Sequence, residues 1–185
     1  MADFWNILYL KDGNTRQRRA YRVLTELDIF NQLIEFEPFL AGTVPIGIDV
    51  EGSDLDILCC FSSRKDFMRK VSATFGSMSH FRLREKDNPE VVIVNFTTEA
   101  FDIEIFAQSI PVREQYGYRH MLVEQKILES YGPDFQKKII ALKKTGVKTE
   151  PAFAQLLGLA GDPYKALLEF NHIQELPLIQ IKRHE

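Results

Sequence analysis

The apolar residues of this chain change rhythm twice, and each change marks a different layer of structure. After Gly13-Asn14, positions Ala20, Val23, Leu24 and Leu27 recur at the i, i+3, i+4, i+7 spacing of an amphipathic helix, with Asn14 placed to cap it. Ile29, Phe30, Leu33 and Ile34 predict a second short helix that must stop before Pro38. Phe39-Leu40-Ala41 then reads as a short strand, and Gly42, Pro45 and Gly47 carry the chain through a turn. From Asp54 to Phe61 polar and apolar residues alternate and then give way to an apolar end, the pattern of a central strand.

Ser63 followed three residues later by Asp66, with Phe67, Val71 and Phe75 spaced by four before Gly76, predicts a capped helix. His80 to Leu83, Val91 to Phe96 and Phe101 to Ala107 are β-rich, and the short polar link Thr97-Thr98-Glu99 makes the last two consecutive antiparallel strands. Beyond Arg113 the rhythm is helical: Met121 to Tyr131, Pro133 to Lys144, Glu150 to Leu159 and Pro163 to Phe170, with Thr149 and Asp162 as N-caps. Leu176 to Ile181 is expected to pair as an edge strand or to drape over the surface. The whole predicts an α/β (α+β) fold: a mixed sheet flanked by helices, residues 1–112 forming the core and residues 113–185 a C-terminal helical segment packed on it.

With 185 residues, 45% of them hydrophobic, the chain has material for one good core. Its longest apolar runs fall below the roughly 18 residues needed to span a bilayer, and its first residues lack an export pattern, so a cytoplasmic protein is expected. Cys59 and Cys60 are adjacent and point to opposite faces of a strand, and the four histidines have no close pairing, which argues against a zinc enzyme. A net charge of −3 argues against bulk binding to nucleic acid. The basic runs Arg16, Arg18, Arg19, Arg22 and Lys137, Lys138, Lys143, Lys144, Lys148 read as solvated helix faces.

Asp54 and Asp56, two apart on one strand, project to the same side about 6 to 7 Å apart. Asp102 and Glu104 share a face of a later strand. Like charges about 5 Å apart repel by roughly 3 kcal/mol at an effective dielectric near 20, so converging carboxylates call for a cation. Magnesium suits oxygen ligands and substrate phosphates. Asp54, Asp56 and Glu104 are therefore the candidate metal ligands and catalytic residues, Glu104 as general base with Asp102 as its alternative. Gly42 and Thr43, at a strand end with free backbone N–H groups, are candidates for phosphate binding. Each also has an ordinary reading: a tight turn for the glycines, a turn cap for Asp54, a solvent-facing strand position for Asp56.

Leu40-Ala41-Gly42-Thr43, Gly47 and Gly52-Ser53-Asp54-Leu55-Asp56-Ile57, followed by Ile103-Glu104-Ile105, resemble the signature of the DNA polymerase β-type nucleotidyltransferase superfamily. With Gly13-Asn14, Thr43-Val44-Pro45-Ile46 and Thr149-Glu150-Pro151-Ala152-Phe153, the chain is also similar to an uncharacterised bacterial family of that superfamily, catalogued as a domain of unknown function. The resemblance implies magnesium, a nucleoside triphosphate held by Gly42, Thr43 and Ser53, and transfer of its nucleotidyl group to a hydroxyl of a small molecule or protein. A non-catalytic member of the fold, binding a nucleotide, a partner protein or a second copy of itself, is the competing implication. One departure is informative: many relatives carry arginines in the turn that here reads Val44-Pro45-Ile46-Gly47, leaving Arg19, Arg119 and Lys148 as candidate cations for the triphosphate.

Overall fold

The computed structural model describes residues 3–87 and 90–170 of the chain. Among these residues five strands build one mixed sheet: β1 (Phe39–Ala41), β2 (Leu55–Cys60), β3 (Ser79–Asp87), β4 (Glu90–Thr97) and β5 (Asp102–Gln108), in the order β1-β2-β5-β4-β3. β2 and β5 run parallel and the other neighbours antiparallel. Helices α1 (Thr15–Glu26) and α2 (Ile29–Gln32) precede the sheet, and α3 (Arg64–Phe75) connects β2 to β3. Helices α4 (Tyr116–Lys144), α5 (Thr149–Leu157) and α6 (Pro163–Phe170) follow β5. The mixed α/β class and the order of elements are those predicted; the segment Leu176 to Ile181 lies outside the described residues.

Strand alternation divides the core in two. Leu55, Ile57 and Cys59 of β2, Ile103, Ile105 and Ala107 of β5, and Val92, Val94 and Phe96 of β4 are buried on one face, against Leu24 of α1 and Phe67, Val71 and Phe75 of α3. The opposite face is covered chiefly at β1 and β2, where Phe39, Ala41 and Leu58 pack on Met121 and Ile127 of α4, Phe153 of α5 and Leu167 of α6. Over β5 the cover is incomplete, and polar residues of that strand look into open space. This asymmetry creates the site.

Local chemistry explains most element ends. The Asn14 side chain accepts from the Gln17 amide while Gln17 reaches back to the Asn14 amide, a reciprocal cap. Ser63 Oγ accepts from Asp66 N–H, and Asp162 Oδ1 from the amides of Tyr164 and Lys165. Lys148, not Thr149, occupies the position before α5. The expected pair of helices meeting at Gly132 is α4, bent where Gly132 takes φ 77° and ψ −172° and Pro133 opens the second half.

Asp54 stands immediately ahead of β2 rather than on it. The chain turns sharply before that strand, with Gly52 at φ 82° and the Ser53 amide donating to the Val50 carbonyl. Near the N-terminus Phe4 is buried edge-on against Tyr9, and Trp5 packs on Phe39, so these aromatics belong to the core.

Candidate active site

The register of β2 sets the centre of the site. Asp56 lies opposite Ala41 of β1 on one side and opposite Glu104 of β5 on the other. Gly42 follows Ala41 at φ 77°, and a Cβ on it would run into the Asp56 carboxylate, so both torsion and space favour glycine. Gly42, Thr43, Asp56 and Glu104 line a cavity of about 520 Å³ between the sheet and α4–α5. Asp54 and Ser53 are not among its lining residues.

The loop from Gly42 to Asp54 is tied down from three directions. Ile48 N–H donates to the Thr43 carbonyl. Gln17 of α1 donates to the carbonyls of Val44 and Pro45 at 3.0 and 3.1 Å, and Gln136 of α4 to that of Gly47 at 3.0 Å. Arg16, expected to be solvated, instead pairs with Asp49 at 2.9 Å, donates to the Ser53 carbonyl and lies over the Phe101 ring. The absence of arginine in the turn has a packing reason, since Val44 is buried in one apolar cluster and Ile46 in the other. The Ser53 hydroxyl accepts from the Val50 amide at 3.0 Å and so staples the turn.

Electrostatics follow from the geometry. Burial, with Asp54 and Glu104 adding repulsion, pushes the Asp56 carboxyl up to about 7. Asp54 is also raised, first by burial and then by Glu104 and Asp102. The three expected acids therefore sense one another. Asp102, at the exposed start of β5 opposite Thr97, does not border the cavity.

Several residues in and around the cavity carried little signal in the sequence. Asn95 of β4 faces Glu104 in register and donates to its Oε2 at 3.0 Å, while Arg84 of β3 donates to Asn95 Oδ1 at 2.7 Å. A guanidinium only donates and a carboxylate only accepts, so the Asn95 amide is oriented from both ends. On the helical wall, His120 and Glu124 of α4 and Glu150 of α5 bring one ligand atom each within 4.8 Å of one another, a set with metal-ligand character. The His-x3-Glu spacing of the first two was the only hint available, and the lack of a paired histidine concealed it. Lys143, read as solvated, is half-buried instead; burial lowers its pKa, and Glu124, Asp49, Glu150 and Asp56 act against that. Of the cations nominated from sequence, Arg19 borders a different hollow beside Thr97 to Ala100, and Arg119 and Lys148 are exposed.

Solved structures of similar fold include the Cid1 poly(U) polymerase with MgGTP bound, at TM-score 0.55 and 10% identity, covering 74% of this chain and 46% of that one. A chain of the GLD-2/RNP-8 complex gives TM-score 0.55 at 11% identity, covering 82% of this chain and 61% of that one. A Cid1 structure described for its RNA terminal uridylyl transferase activity gives 0.54 at 11% identity, with 74% and 45% covered. At such identities the likeness is one of fold, a nucleotidyltransferase-like α/β fold, and this chain spans between 45% and 61% of the length of these structures. No curated protein matches the sequence. The family model described as "Domain of unknown function (DUF4269)" matches residues 22–170, and the chain belongs to that family.

Proposed function

We propose that this chain is a magnesium-dependent nucleotidyltransferase, moving a nucleotidyl group from a nucleoside triphosphate to a hydroxyl of a small-molecule or protein acceptor. The observation that carries this reading is the facing of Asp56 and Glu104 across the β2–β5 pair, beside Gly42 and inside an open cavity. The donor set fits the ion: carboxylate oxygens only, at least one pushed toward neutrality by burial and by its neighbours, an arrangement that a hard divalent cation relieves. Magnesium held by Asp54, Asp56 and Glu104 would neutralise the phosphates and stabilise the leaving oxygen.

In the transfer, the acceptor oxygen bonds to the α-phosphorus, the bond from that phosphorus to the bridging oxygen breaks, and pyrophosphate leaves with the electron pair. Glu104 takes the acceptor proton; Asn95 holds one of its oxygens and leaves the other for this role. Backbone N–H groups at Gly42 and Thr43 receive phosphate oxygens. Lys86 at the cavity edge and Lys143, which is electrostatically coupled to Asp56, supply the positive charge that the turn lacks. In this reading residues 1–112 carry the acids and the phosphate loop, and the helical segment from residue 113 closes the cleft. Likeness of fold to Cid1, captured with MgGTP, supports a triphosphate donor. The net charge of −3 favours an acceptor other than long nucleic acid.

Calorimetric titration with ATP, GTP, CTP and UTP, with and without magnesium, tests the proposal. Magnesium-dependent binding of at least one triphosphate, weakened about tenfold or more by Asp54→Asn, is the expected result. Failure of all four to bind, in a protein whose melting temperature is unchanged, overturns it in favour of a non-catalytic, partner-binding member of the fold.

A further inference from the structure

Opposite the sheet acids, the cavity wall holds a second constellation that the transfer reaction does not use. His120 and Glu124 stand one helical turn apart on the same face of α4, and Glu150 reaches them from the first turn of α5. One ligand atom from each lies within 4.8 Å of the others. We propose that His120, Glu124 and Glu150 form a site for a first-row divalent transition metal, with zinc as its representative, on the helical wall of the cavity.

Two observations beyond the clustering point to a ligand. His120 is 6% exposed and its Nδ1 has no hydrogen-bond partner among the described residues. Glu124 is 3% exposed, and none of the ion pairs among the described residues involves it or Glu150. A buried imidazole nitrogen without a partner carries an uncompensated desolvation cost, and so does a buried carboxylate that no cation faces. Lys143 senses both glutamates but lies beyond ion-pairing range of either. A single divalent ion bound through His120 Nδ1 and by both carboxylates would remove these penalties together. The rings of Tyr116 and Tyr164 lie 6.3 and 6.0 Å from that of His120, centroid to centroid.

Donor chemistry selects the metal. An imidazole nitrogen with two carboxylates suits zinc and its first-row neighbours, whereas the all-oxygen set across the cavity suits magnesium. Three protein ligands leave a tetrahedral ion one open position. His120, Glu124 and Glu150 all border the cavity, as do Asp56 and Glu104, so that position faces whatever is seated there. The ion would hold an oxygen or nitrogen donor of that molecule. The site stands whether or not the chain transfers nucleotides, because neither the ligands nor the geometry depends on that reaction.

The test uses the full chain, stripped with a chelator and titrated with zinc alone in the presence of millimolar magnesium. One zinc per chain is expected, bound at least tenfold more weakly in His120→Gln and in Glu124→Gln and unchanged in Asp56→Asn. X-ray absorption of the zinc-loaded wild type is expected to show one imidazole among oxygen ligands, a readout independent of how the variants fold. Absence of stoichiometric zinc, a first shell without imidazole, or zinc lost in Asp56→Asn but kept in Glu124→Gln overturns the proposal.

Discussion

The electrostatic character of the site is set one side chain at a time, and it is expressed as a dependence of stability on pH. Asp56 moves from an ordinary 3.8 up to about 7, and Glu124 from 4.5 up to about 8, burial being the first cause for both. Each carboxyl therefore binds its proton more tightly in the folded chain than in the unfolded one. By linkage, the metal-free fold loses stability as pH rises from about 4 toward 7 through Asp56, and from about 4.5 toward 8 through Glu124. Thermal melts of the chelated protein between pH 5 and pH 8 are expected to show a falling melting temperature, with a shallower slope in Asp56→Asn and in Glu124→Gln. A slope that is flat, or identical in all three proteins, contradicts the placement of these groups. That Asp56 and Glu104 share the cavity side of the sheet was legible in the sequence because each stands between apolar residues that must face a core, which forces the acids to the other side. Asn95 obeys the same alternation, yet its partner Glu104 is identified only by strand register. His120 and Glu150 meet only because α5 packs on α4, and no local pattern encodes that packing.

Among the elements, α4 is the one whose shape most affects the cleft. Nineteen residues of straight helix would put Lys143 about 28 Å from Glu124. The two nonetheless interact electrostatically, because the bend at Gly132 folds the second half back. The backbone there, φ 77° with ψ −172°, belongs to glycine almost alone. A Cβ at Gly132 would meet no described residue within 4 Å, so Gly132→Ala carries a torsional cost only. That cost is about 1–3 kcal/mol, to be read by urea denaturation, and a variant as stable as the wild type would show that the bend is not held by this torsion. The caps at Asn14, Ser63 and Asp162 could be read ahead because a cap is a contact within four residues. β3 extends to Asp87, past the expected Leu83, since its outer half is Arg84 to Asp87, charged residues held by pairing to β4 and by Arg64 against Glu85, Asp87 and Glu90. No apolar rhythm announces such a strand.

At the scale of the whole molecule, the helices after β5 act as wall and as core at once. Met121, Ile127, Phe153 and Leu167 bury the outer face of β1 and β2. A chain ending at residue 112 would expose Phe39, Ala41 and Leu58 together, an apolar patch of the kind that drives association. That truncation is expected to aggregate or to melt without cooperativity in size-exclusion chromatography and circular dichroism; a monomer with a sharp transition would show that residues 1–112 fold unaided. The parallel ladder of β2 and β5 has a consequence for the reliability of folding. Because Asp56 and Glu104 alternate with Leu55, Ile57, Ile103 and Ile105, displacing either strand by a single residue would send isoleucines into water and acids into oil. The penalty for misalignment falls on the whole domain, so copies with a scrambled centre do not persist as well-folded impostors: quality control of the chemistry is delegated to the hydrophobic effect.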